Sequence, residues 1–192
     1  LEAVKNPAFP DELKPTAGSI LFSVYRTSIQ REAEKYIPKP AAKGGKPLPP
    51  IHLLVNGTGD AVKGHTMFSK NCTQCHMAKQ EGVKFGPELT QIGGKLSKEG
   101  FYKAILYPDE GVSHGFEGHT LKLKDGSMFV GIIGSETAGE IELRMQGGKS
   151  VKIPKSNIAE NTENERSLMP SFAAAMTQEE LTDLVEYLST LK

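Results

Sequence analysis

The chain has no tryptophan and only two cysteines among its 192 residues. Two thiols cannot build a disulfide framework, and they fall short of a four-cysteine zinc site. Neither sign of charge is in excess, since 23 Lys and Arg balance 23 Asp and Glu. Bulk charge therefore gives no affinity for nucleic acid or for an anionic membrane surface. Long apolar runs are missing too, so no segment reads as a bilayer-spanning helix. No signal-peptide pattern is read in these residues, which start at Leu1 rather than Met. The length suits one domain with an extension, or two small ones.

The two cysteines are close together, in Cys72-Thr73-Gln74-Cys75-His76. A C-x-x-C-H run is the attachment pattern of a c-type haem. Two thiols at a fixed short spacing can add across the two vinyl groups of the porphyrin, and the next residue offers an imidazole to the iron. One covalent haem c is expected, held by Cys72, Cys75 and His76, with His76 as a metal ligand. Two other chemistries use the same pair. A zinc site would have to borrow His52, His65, His114 or His119, none of which shows close ligand spacing. A thioredoxin-like dithiol should follow a strand in a βαβ unit, and no such pattern surrounds it. Because c-type haem is normally attached outside the cytoplasm, a periplasmic or otherwise extracytoplasmic location is expected. The start at Leu1 then fits a mature form or a fragment of a longer exported protein.

Hydrophobic periodicity divides the chain. Residues 1–37 form an N-terminal extension, in which 16–36 reads as one amphipathic helix with Ile20, Leu21, Val24 and Ile29 as its apolar stripe. This is either a helix packed on the haem domain or the tail of a preceding domain. Residues 38–50 hold five prolines, two glycines and three lysines, the composition of a linker. The haem domain is expected over 51–192. Asp60 to Lys70 leads as a helix into Cys72, 79–94 reads as a loop, and Ser97 caps a helix that ends before Pro108. Phe101, Ala104 and Ile105 are its predicted buried face. From 116 to 158 the period changes to two. Leu121 and Leu123, then Met128, Val130 and Ile132 after the Asp125-Gly126 turn, then Ile141, Leu143 and Met145, then Val151 and Ile153 alternate as an antiparallel meander of about four strands. Thr177 to Glu180 is a capping box for a terminal helix with Leu181, Leu184, Val185, Leu188 and Leu191 on one face and Asp183 and Glu186 opposite.

An electron-transfer haem usually keeps a sixth ligand. The first candidate is Met169, which Pro170 holds in an extended loop before the terminal helix. Met176 is a second candidate, and His114 or His119 a third. Met77 adjoins His76 and cannot reach the opposite face, while Met128 and Met145 fall in predicted strands. Gly86-Pro87 is either an ordinary turn or the source of a carbonyl that accepts the Nδ1 proton of His76.

These motifs together resemble a mono-haem cytochrome c of the class I type: C-x-x-C-H, Phe85-Gly86-Pro87-Glu88-Leu89, Leu168-Met169-Pro170 and Leu184-Val185-Glu186-Tyr187-Leu188 occur in that family's order. The resemblance implies axial His76 and Met169, a Pro87 carbonyl on the His76 ring, and Tyr187 near the crossing of the first and last haem-domain helices. The intervening strands, with Tyr107 to Gly111, Lys124-Asp125-Gly126 and Gly131, resemble the C-terminal haem domains of large exported planctomycete, verrucomicrobial and bacteroidete proteins. The expected fold is mainly α: a cytochrome c-like helical haem domain with an inserted small antiparallel β-meander and an N-terminal helical extension.

The expected function is electron transfer rather than catalysis by this chain. Electrons would come from a fused or partner dehydrogenase and leave to another cytochrome or an oxidase, with no nucleic-acid partner. A haem enzyme or gas sensor with a displaceable sixth ligand is the alternative, which Met169-Pro170 argues against.

Overall fold

The computed structural model describes all residues from Leu1 to Lys192. Its helices are α1 (Glu2–Lys5), α2 (Lys14–Leu21), α3 (Thr27–Ala33), α4 (Ile51–Leu54), α5 (Ala61–Asn71), α6 (Lys98–Leu106) and α7 (Gln178–Thr190). Its strands are β1 (Met77–Ala78), β2 (Glu81–Gly82), β3 (Gly118–Leu123), β4 (Met128–Glu136), β5 (Glu140–Met145), β6 (Lys149–Pro154) and β7 (Ile158–Glu163).

Caps set the boundaries of the three long helices. The Asp60 carboxylate accepts the N–H groups of Val62 (2.8 Å) and Lys63 (3.2 Å) and opens α5. Ser97 accepts from Gly100 (3.2 Å) and opens α6. Both arms of the capping box form at α7: the Thr177 N–H donates to the Glu180 carboxylate at 2.9 Å, and the Glu180 N–H to the Thr177 hydroxyl at 3.1 Å. These helices bury Phe68, Phe101, Tyr102, Ile105, Leu106, Leu181, Leu184, Val185 and Leu188 in one core. Ala104 is exposed, so the buried face of α6 is Phe101, Tyr102, Ile105 and Leu106. Helices α5 and α7 cross at Gly64, where a Cβ would lie 2.0 Å from the Asp183 carbonyl oxygen. Tyr187 packs there, 5.4 Å from the Phe68 ring. Asp183 is not on an exposed face: it is 6% accessible, and its carboxylate accepts the Asp60 N–H at 2.7 Å. That bond compensates the burial of a charged group.

The N-terminal extension is two helices over its latter part, not the single helix expected for 16–36. The break runs from Phe22 to Arg26. There the Ser23 hydroxyl donates to the Ile20 carbonyl (2.8 Å) and the Gln30 side chain takes the Val24 carbonyl (2.6 Å), drawing backbone acceptors away from a helical ladder. Phe22 turns inward with Val4, Ala33 and Ile37 to form a small separate core, while Ile20 is 49% exposed. Residues 38–50 are not a free spacer. Ala42 and Leu48 are buried in the main core, Lys39 donates to the Leu48 carbonyl at 2.9 Å, and Lys43 pairs with Glu180.

The inserted strands form a five-stranded antiparallel sheet in the order β6-β5-β4-β3-β7. The four-strand meander is present, and β7 adds a fifth strand on the far side of β3. Its sequence, Ile158 to Glu163, carries only two apolar residues, the adjacent Ile158 and Ala159, and so shows no alternation. Leu121 faces Phe129 and Lys122 faces Met128 across the hairpin. Phe129 and Ile133 therefore join Leu121, Ile141, Leu143 and Ile153 in the sheet's own core, while Met128 and Val130 are exposed. The phase expected for β4 is thus reversed at Met128 and Val130, because the turn residues fix the register, while Ile132 is buried at 3% exposure. The sheet closes at its base: His119 pairs with Glu163, and the Asn164 N–H donates to the Gly118 carbonyl at 2.7 Å. Helix, with four short 3-10 turns included, accounts for 35% of the chain and strand for 19%, so "mainly α" describes the core around α5–α7 better than the whole.

Candidate haem site

Helix α5 ends at Cys72, and the chain then makes a tight loop. The Cys75 and His76 N–H groups both donate to the Cys72 carbonyl, at 3.0 and 2.8 Å. Thr73 donates its hydroxyl to the Ser69 carbonyl at 2.6 Å and anchors the loop to the helix. The returning segment closes it from the other side, with the Gly86 N–H on the Cys75 carbonyl at 2.6 Å and the Val83 N–H on the Thr73 carbonyl at 3.1 Å. Between them lies the β1–β2 hairpin, with Lys79 in the left-handed region at φ 56. The second strand falls within 79–94, which reads as a loop in the sequence because two-residue strands have no detectable period.

The His76 ring is held by its neighbours. Its Nδ1 lies 2.7 Å from the Pro87 carbonyl oxygen. A carbonyl can only accept, so Nδ1 carries the proton and Nε2 keeps its lone pair. Gly86 lies against the ring, and a Cβ there would come within 2.7 Å of His76 Cε1. No sequence signal separated that close approach from an ordinary Gly-Pro turn. Burial pulls the His76 pKa down, with the Pro87 bond opposing it, so burial favours the neutral ring.

Cys72 and Cys75 are unpaired. Burial, reinforced by Cys75, pushes the Cys72 thiol up to about 12, and burial alone raises Cys75. Thiols raised in this way are poor redox nucleophiles at neutral pH. No cluster of three or more His, Cys, Asp or Glu side chains is placed to hold a metal ion, so nothing completes a zinc site around the pair. Two fixed thiols beside an imidazole with a free Nε2 do fit a covalently tethered haem: Cys72 and Cys75 would take the vinyl groups and His76 the iron.

The candidates for the sixth position lie in different surroundings. Met176 is 1% exposed in the helical core. Met145 packs in the sheet core, Met128 is exposed, and Met77 lies on β1 beside His76. His114 is fully exposed, and His119 is on β3 with its Nδ1 3.0 Å from Asn161. Met169 is half-buried against the helical core in an irregular loop. That loop is fixed at both ends. The Ser167 N–H donates to Asp109 at 2.8 Å and the Met169 N–H to the Ser167 hydroxyl at 3.1 Å. Beyond Pro170, the Ser171 hydroxyl donates to the Leu106 carbonyl at 2.7 Å and the Phe172 N–H to the Ile105 carbonyl at 3.1 Å.

Residues 61–128 match the family described as Cytochrome c. Cytochrome c of Arabidopsis thaliana is 39% identical over 72 residues, which is 37% of this chain and 58% of that protein. Cytochrome c of Cochliobolus lunatus is 42% identical over 60 residues, 31% of this chain and 54% of that one. Cytochrome c of Stellaria longipes is 37% identical over 60 residues, with the same shares. The chain thus spans little more than half the length of these curated relatives. The matched segment contains α5, the C-x-x-C-H loop and the Gly86-Pro87 turn. The likeness of residues 61–128 to the Cytochrome c family implies a covalently bound c-type haem.

Proposed function

We propose that this chain is an electron-transfer module whose single haem c is tethered by Cys72 and Cys75 and ligated axially by His76 and Met169. The observation that carries the reading is the His76 ring, fixed by the Pro87 carbonyl with Nε2 free, beside two unpaired thiols in the segment that matches cytochrome c. When bound, the haem supplies a one-electron iron couple; the protein supplies ligands, orientation and exclusion of water. Pro87 strengthens the donor character of His76 through the shared proton. The soft thioether of Met169 favours the reduced metal and fills the sixth position, which separates a carrier from a gas sensor or peroxidase-type site.

Electrons come from a dehydrogenase, fused or separate, and pass to another cytochrome or an oxidase through small transient contacts. The motif order and inserted sheet support kinship with the C-terminal haem domains of large exported bacterial proteins, and with it an extracytoplasmic location. No helix of the chain is long and apolar enough to cross a membrane.

The test is a set of visible spectra of protein matured with haem-attachment machinery. Wild type should be coloured, resist haem extraction by acidified organic solvent, show the weak long-wavelength sulfur-to-iron band when oxidised, and bind carbon monoxide slowly when reduced. Met169→Ala should lose the band and bind carbon monoxide quickly. Colourless protein after proper maturation would sink the reading. Rapid carbon monoxide binding by wild type would leave the haem but favour a sensor or enzyme.

A further inference from the structure

The N-terminal extension lies outside the cytochrome c match, yet its contacts converge on the corner that holds the Met169 loop. The Tyr25 N–H donates to Glu110 at 3.0 Å. The Tyr25 ring tilts against Tyr107 at 5.5 Å, with Lys103 4.5 Å above its face. The Gln30 amide donates to the Tyr107 hydroxyl at 3.2 Å and to the Val24 carbonyl at 2.6 Å. One side chain thus fixes both the break between α2 and α3 and the corner at Tyr107. Asp109 of the same corner accepts the Ser167 N–H, and Ser167 accepts the Met169 N–H. Helix α2 also faces this loop across a cleft of about 230 Å³ whose walls include Ser19, Ile20, Met169 and Pro170.

We propose that Tyr25 and Gln30 are positioning residues for Met169: they hold the corner from Tyr107 to Glu110, and Asp109 of that corner holds the methionine loop. The inference rests on Met169 as the sixth ligand. A loop pinned at Ser167 by Asp109 and beyond Pro170 by the end of α6 leaves Met169 little freedom to swing away. Loosening the outer pin raises the fraction of molecules in which the sixth position is open. An added ligand that competes for that position then binds more tightly, in proportion to the open fraction.

Imidazole titration of the oxidised, haem-loaded full chain reads that fraction. Gln30→Leu is similar in size but can neither donate nor accept, and should raise apparent imidazole affinity about threefold to tenfold. Asp109→Ala should do the same, while Asp109→Asn, which keeps an acceptor oxygen, should restore wild-type affinity. The sulfur-to-iron band should weaken in step with affinity, a change that general destabilisation alone does not produce while circular dichroism shows a folded protein. If wild type has the band but Gln30→Leu and Asp109→Ala bind imidazole as wild type does, the brace is overturned and the methionine ligand stands. If wild type lacks the band, the ligand assignment fails and the brace fails with it.

Discussion

Gly86 shows how little room surrounds His76. A methyl group there would sit 2.7 Å from Cε1, well inside contact distance, and the ring is held from behind by Pro87. Either the ring or the returning loop must move. Gly86→Ala should therefore lower the melting temperature of the haem-loaded protein, equivalent to about 1–3 kcal/mol, and reduce the fraction of chains that acquire haem. Normal haem content and thermal stability would show that the loop yields without cost. Residue chemistry also explains what the sequence could and could not say. The spacing of Cys72, Cys75 and His76 carries its chemistry in one dimension, so it is readable without coordinates. The approach of Gly86 to the ring and the contact of Gln30 with Tyr107 join residues far apart in sequence, and no local pattern encodes them.

At the scale of elements, α5 and α7 depend on a backbone approach that only glycine permits. Gly64→Ala would bring a Cβ to 2.0 Å from the Asp183 carbonyl and to 2.8 Å from Tyr187. The clash is with backbone, so the helices must separate, and a loss of about 3 kcal/mol or more is expected in chemical denaturation. The same helix carries a charge contact with a defined pH signature. The Lys98 hydrogen bond at 2.7 Å is the main cause that holds Glu186 below its usual value of 4.5. A depressed carboxyl stabilises the fold above its unfolded pKa, and that stabilisation is lost as pH falls through the lower folded value. Glu186→Gln should cost about 0.2–1 kcal/mol at pH 7, since both partners are partly solvated, and nothing at acid pH once wild-type Glu186 is also protonated. A pH-independent difference between the two proteins would refute the sign. Helix ends were the most legible elements, because Asp60, Ser97 and Thr177 announce them chemically. Phase and number of strands were less so: β7 has no apolar alternation, and the face of β4 is decided by its partner across the turn.

The whole molecule is built on three apolar clusters: one in the N-terminal extension, one among the helices and one within the sheet. Separate cores open separately. Native-state hydrogen exchange should show the amides of β5 and β6 exchanging through a different opening event from those of α5 and α7, with distinct denaturant dependence. A single common opening for both groups would mean that the sheet and helices act as one cooperative unit.

The closed base of the sheet bears on how the loop of Met169 reaches its place. Strands β3 and β7 begin and end side by side, so chain leaving the helices at Gly118 comes back to almost the same point at Asn164. For the polymer entropy of bringing the methionine segment home, everything between those two residues is short-circuited. Once the sheet has formed, the remaining closure is that of a tether roughly as short as if the insertion were absent, and the strands can vary in length without taxing the ligand loop.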